Sequence, residues 1–345
     1  MLSMYILYLV VVPFMMLMGM KIENKREECL LNKSDTKILK GMASCFVVMS
    51  HYVVWSGGDN RYIDIAISQL GGIGVLIFFF ISGYGIYVSY INKEPGWAFI
   101  VKRVKTVYLP YVIIKIVLEA ILFILGMQVR TWGEALLSIL LVEDWFIKVI
   151  IMQYIIFFIN WRYIGKTKVI WLGIFADIIL SVVFISENQP IGWFNALWLF
   201  TFGMICAKYE KRIYSFLNSN KLLWKIFLLL IGFCVTGGIF AVFKGEMWAN
   251  ILKPLSGMLL CIAICGVTRC VRFGSPVMLY VGERSIYMYI VHMNMWTMTE
   301  YIALPAIRFW AAIVLTIIGT EVLYRVTTFV PKIYKHLQDT KCEIQ

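Results

Sequence analysis

Long apolar stretches, bounded by clusters of charged or turn-forming residues, recur along the whole chain. Eleven of them are candidates to cross a bilayer: 1–20, 41–57, 69–91, 107–127, 145–160, 169–186, 190–208, 222–243, 247–267, 276–297 and 305–325. A hydrocarbon core about 30 Å thick takes roughly 20 helical residues, so the shorter runs fix their own ends only to within a few positions. None shows the period-2 alternation of a membrane barrel, and an open strand cannot cross lipid with its backbone groups unpaired. The pattern predicts an all-α, polytopic membrane bundle of about ten or eleven helices. It divides into an N-terminal helix with its basic loop (1–35), a membrane domain (36–330) and a tail (331–345). No Pro/Ser/Gly-rich linker or low-complexity tract interrupts it, so any chemistry must lie between helices or in short loops.

Composition sharpens this picture. With 61% hydrophobic residues, 15% charged residues and a mean hydropathy of +0.80, a soluble domain is excluded. The net charge of +12 is spread over alternate connections. Lys21, Lys25, Arg26, Lys33, Lys37 and Lys40 fall in the first loop, Lys93, Lys102, Arg103 and Lys105 in the third, and Arg162, Lys166 and Lys168 in the fifth. Lys208, Lys211, Arg212, Lys221 and Lys225 continue the series, followed by Arg269 and Arg272, then Arg325, Lys332, Lys335 and Lys341. Basic loops stay on the cytoplasmic side, so the expected topology has the N-terminus outside and the C-terminus in the cytoplasm. Cations dispersed in this way argue against a nucleic-acid partner, which would need one basic stripe. The first apolar run lacks a basic leader and a small-residue cleavage site and reads as a retained helix. The eight cysteines include no Cys-x-x-Cys pair. Cys261, Cys265 and Cys270 have helical spacing without nearby histidines, so neither a disulfide nor a metal site is expected. Asn32-Lys33-Ser34 matches the glycosylation pattern but lies in a loop assigned to the cytoplasm, where the match is a chance one.

The residue with most chemical content is His51, set in KGMASCFVVMSHYVVW. An imidazole in hydrocarbon is costly and is retained for a reason. On one helix, Lys40 lies about 16 Å from it, half the depth of a bilayer core. From the residues alone, His51 is a catalytic base, a proton-relay group or a hydrogen-bonded packing histidine. Gly71, Gly72, Gly74, Gly83 and Gly85 interrupt the next aromatic run, and close helix packing accounts for them better than a local break whose amides face a ligand. In KRVKTVYLPY, residues 102–111, the proline suits a helix's first turn. Lys102, Arg103 and Lys105 then form an anion-sized cluster beside a helix N-terminus, although positive-inside anchoring explains it equally well. Lys115 and Glu119, one turn apart, read as a neutralising pair. Asp177 has no partner near it in sequence. A proton-coupled transporter of a small polar solute would use His51, Lys115, Glu119 and Asp177, but the chain shows no paired halves with matching broken helices.

The order of these segments resembles the acyltransferase 3 family of integral membrane acyltransferases. Its opening pattern, a basic residue separated by ten positions from a membrane histidine, is matched by Lys40-x10-His51, with lysine where arginine is usual. GVLIFFFISGYGI (74–86), KRVKTVYLP (102–110), WFIKVIIMQY (145–154), FTFGMICAKYEKRI (200–213) and VGERSIYMYIVHMNMW (281–296) follow in the family's order. The resemblance implies a membrane-bound O-acyltransferase, most specifically an O-acetyltransferase. It would transfer an acyl group from cytoplasmic acyl-CoA to a hydroxyl of a cell-envelope glycan or lipid-linked sugar. No cofactor is permanently bound; acyl-CoA, with acetyl-CoA the expected form, is the donor substrate. His51 would be the general base, and Lys40, Lys102, Arg103 and Lys105 would meet the CoA phosphates. Glu143, Asp144, Trp145, Tyr289 and His292 are candidates for the acceptor site, with structural hydrogen bonding the stronger alternative for His292. Membrane lipid is the surrounding partner, the plasma membrane the expected location, and glycan-assembly proteins are candidate partners if acyl handover is not unaided.

Overall fold

Caps written into the sequence start several of the helices. Asn32 accepts from the Asp35 amide, Asn60 from Tyr62 and Ile63, Asp144 from Ile147 and Ser275 from Met278. Thr131 and Glu134 form a reciprocal capping box. The computed structural model describes residues 2–23, 29–57, 59–126, 130–218, 221–243 and 245–343, with side chains described through residue 328. Lys25 and Arg26 of the first basic loop, and the side chains of Lys332, Lys335 and Lys341, lie outside the described residues.

The chain is helical almost throughout. In order, the helices are α1 (Leu2–Leu17), α2 (Lys33–Ser56), α3 (Arg61–Tyr90), α4 (Trp97–Ile124), α5 (Trp132–Leu140), α6 (Trp145–Ile164) and α7 (Val169–Ser186). Then come α8 (Gly192–Lys208), α9 (Glu210–Leu217), α10 (Leu222–Val242), α11 (Met247–Cys270), α12 (Pro276–Glu283), α13 (Ser285–Met298) and α14 (Pro305–Glu343). Among the described residues, eight helices are long and apolar enough to cross a membrane, and the runs at 1–20, 190–208 and 276–297 form shorter ones. A two-residue antiparallel ladder, Lys21–Ile22 with Val271–Arg272, ties the loop after α1 to the end of α11.

The central layer is α3, packed along its length against α2 on one side and α8 on the other. Backbone contact sets this closeness: a methyl at Gly83 would run into the Phe200 carbonyl, and one at Gly203 into the Phe80 carbonyl. Gly85 and Gly72, by contrast, face open space. Overpacking of this kind costs about 1–3 kcal/mol. Gly83→Val is therefore expected to lower the thermal midpoint of the detergent-solubilised protein clearly, while Gly85→Ala leaves it unchanged; equal midpoints for both variants would contradict the packing account.

Three sequence expectations are corrected. The run 276–297 is two helices, because Arg284 leaves the helical region (φ −106°, ψ 8°). Its guanidinium lies over the Tyr280 and Tyr324 rings at 3.7 and 4.1 Å and pairs with Glu321 at 2.7 Å. Secondly, residues 102–111 do not begin a helix. Backbone dihedrals stay helical through a π-turn at Val104–Tyr108, just before Pro110, so Lys102, Arg103 and Lys105 sit within α4 with no free helix N-terminus beside them. Thirdly, Lys115 and Glu119 form no ion pair; Lys115 lies over the Tyr111 ring, 6.0 Å from its centroid. The glycine-rich segment stays continuous in α3, which favours packing over a break.

Candidate functional site

Two histidines 241 positions apart meet inside the bundle. His51 Nδ1, on α2, lies 2.8 Å from His292 Nε2, on α13, and the rings are nearly coplanar at 3°. His292 Nδ1 points back along its own helix, 2.6 Å from the Tyr289 carbonyl and 3.2 Å from that of Met288. Carbonyl oxygens only accept, so His292 Nδ1 carries a hydrogen. With both rings neutral, His292 Nε2 accepts, His51 Nδ1 donates, and His51 Nε2 keeps a free lone pair. That lone pair is what a general base requires. The fully buried His292 is itself braced, since the Tyr52 hydroxyl donates to its carbonyl at 2.9 Å and meets the Thr316 hydroxyl at 2.6 Å. Trp55, one turn beyond His51, stacks on that imidazole with centroids 5.1 Å apart.

Three cavities lie in series along α2. The first, of about 480 Å³, opens at the basic end and is lined by Lys37, Lys40, Arg103, Tyr154 and Tyr289, among others. Lys37 pairs with Glu283 at 2.7 Å. Among the described residues Lys40 and Arg103 make no ion pair, and the Arg103 guanidinium rests 4.6 Å from the Tyr154 ring centroid. Two such cations in a partly buried cavity favour an anionic ligand. The second cavity, of about 130 Å³, is bordered by His51, Gly71, Gly72, Trp145, Asn195 and Tyr289. The third, of about 510 Å³, lies towards the other end of α2 and is lined by Trp55, Trp145 and Trp296 together with Lys115, Arg130, Glu143 and Asp144. Tyr289 borders the first two cavities and Trp145 the last two.

A family model for the acyltransferase domain of the acyltransferase 3 family matches residues 35–325. The chain belongs to that family. It is a membrane acyltransferase, and its matched region spans α2 through most of the membrane part of α14. No curated protein and no solved structure matches the chain.

Within the acyltransferase, the sequence candidates separate. Lys40 and Arg103 share the basic cavity, whereas Lys102 and Lys105 are exposed and outside its lining. Glu143, Asp144 and Trp145 lie together on the third cavity, and of the three only Trp145 also borders the chamber of His51. The Arg130 fork grips Glu143 at 2.8 and 2.9 Å and holds its carboxyl below the usual carboxylate range. Loss of hydration instead pushes Asp144 up, and Asp144 hydrogen-bonds Tyr289. Asp177, unassigned in the sequence, accepts from Gln153 at 2.7 Å and lies in the α6–α7–α8 packing, outside all three cavity linings. Sequence reasoning did not single out Trp55, Trp296, Arg130 or Asn195. For the two tryptophans a signal was present, because His51/Trp55 and His292/Trp296 are both spaced i,i+4 and so share a helix face.

Proposed function

We propose that this acyltransferase moves a short acyl group, acetyl above others, from acyl-CoA to a hydroxyl of a cell-envelope glycan or lipid-linked sugar. The plasma membrane is its proposed site, with the basic cavity facing the cytoplasm, the C-terminus on that side and the N-terminus outside. The observation that carries this reading is the free Nε2 of His51 in a small chamber between a cation-lined cavity and one lined by tryptophans and carboxylates. Phosphates of CoA suit Lys40 and Arg103, and indole faces with carboxylates suit the apolar faces and hydroxyls of a sugar. The volume beside His51, about 130 Å³, favours a two-carbon acyl unit over a long chain.

The chemistry balances on these residues. His51 Nε2 takes the proton of the acceptor hydroxyl as the oxygen attacks the thioester carbonyl. The carbon–sulfur bond breaks, the ester forms, and the proton returns to the CoA thiolate.

Purified protein in sealed liposomes, given acetyl-CoA and envelope glycan, is expected to label the glycan and release CoA. Solute flux without acyl-CoA, lost in His51→Ala, would instead indicate a transporter. Replacing Arg103 or Lys40 by alanine is expected to raise KM for acetyl-CoA about ten- to a hundredfold, the range for losing a charge-assisted hydrogen bond. Lys102→Ala should change it far less. An unchanged KM in Arg103→Ala and Lys40→Ala would place the nucleotide elsewhere.

A further inference from the structure

Asn195, near the start of α8, stands out among the groups around the His51 chamber. Ser50 donates to the Ser68 carbonyl at 2.7 Å, Tyr289 is hydrogen-bonded to Asp144, and Lys253 also has a partner. Asn195 is 1% exposed, yet among the described residues neither its amide nitrogen nor its amide oxygen has a hydrogen-bond partner. A buried carboxamide left unmatched is destabilising, and a fold retains one where a ligand completes it. Beside it the wall is open: a methyl at Gly72 would meet nothing within 4 Å, leaving space for an incoming group.

We propose that Asn195 is a catalytic residue whose side-chain N–H donates to the thioester carbonyl oxygen as the acceptor hydroxyl attacks. This rests on the acyl-transfer reading above. When the hydroxyl oxygen bonds to the carbonyl carbon, the C=O electron pair moves onto oxygen, and a donor there stabilises the negative charge until the carbon–sulfur bond breaks. The helical amides of Gly71 and Gly72 are held within α3, and among the described residues lining this chamber Asn195 is the one whose buried side-chain donor is unpaired. Its low-dielectric surroundings strengthen the interaction at the moment charge develops.

The test is Asn195→Leu, which keeps the branched outline and the number of heavy atoms while removing both unmatched polar atoms, with the smaller Asn195→Ala beside it. Each is assayed for acetyl transfer and for Tm in detergent, with wild type and His51→Ala in parallel. Expected is a kcat reduced about 10²- to 10³-fold, KM for acetyl-CoA changed by less than about threefold because the contact tightens only in the transition state, and a Tm for Asn195→Leu equal to or above that of wild type. Removing an orphaned polar pair from a structural position would leave kcat alone. A kcat within about threefold of wild type, or a Tm that falls along with activity, overturns the assignment while leaving the acyl-transfer reading intact if His51→Ala is inactive. No acetyl transfer by wild type removes that reading and this inference together.

Discussion

His51→Ala is expected to lower kcat for acyl transfer by about 10²- to 10⁴-fold, the contribution of a positioned general base. KM for acyl-CoA should barely move, because the cations proposed to meet the nucleotide lie in a separate cavity. CoA release by purified protein, with acceptor present, reads both quantities. Membrane insertion and Tm serve as controls, since His51 is only partly buried and its removal leaves the brace around His292 in place. A variant that inserts normally and releases CoA at the wild-type rate would remove the base from the mechanism.

The second large effect is expected at His292, acting through His51. Its Nε2 is the acceptor that holds the hydrogen on His51 Nδ1 and so leaves Nε2 free. His292→Phe removes that acceptor and frees the ring to rotate or to carry its hydrogen on the wrong nitrogen. Loss of the group that fixes a catalytic tautomer lowers kcat about 10⁴-fold in serine proteases, where the partner is an anion. A neutral partner contributes less, and about 10²-fold is expected here. His292→Gln, whose side-chain oxygen can accept, should recover part of the loss and restore the acid limb of the pH–rate profile towards that of wild type. Equal activity in the Phe and Gln variants, at matched Tm, would reduce His292 to a packing residue.

The helices were readable because length and apolarity alone dictate them in lipid. The eight long spans lie where the apolar runs lie, and the caps at Asn60 and Asp144 are visible in the sequence. What escaped depends on contacts between distant segments. The break at Arg284 needs Glu321 and Tyr324 from α14 to compensate it, and neither is near in sequence. The helical passage through Pro110 depends on a widened turn that residue identity does not announce. At the site, His51 declared itself by an imidazole in hydrocarbon, and the family pattern by its ordered motifs. The role of His292 was weighted towards structure because its partner comes from the other end of the chain. Asn195 gave no signal at all: one asparagine in an apolar run looks the same whether its amide is satisfied or not.

Tyr289 stands where the basic cavity adjoins the His51 chamber, and Trp145 where that chamber adjoins the tryptophan-lined cavity. A catalyst reached, as proposed above, by a soluble donor and by a bulky acceptor invites a leak, because a bore joining two aqueous compartments would dissipate the ion gradient a cell lives on. With an aromatic ring at each boundary and the Tyr289 hydroxyl fastened to Asp144, the proposed route would work like a canal lock, in which cargo advances without the levels on either side running together.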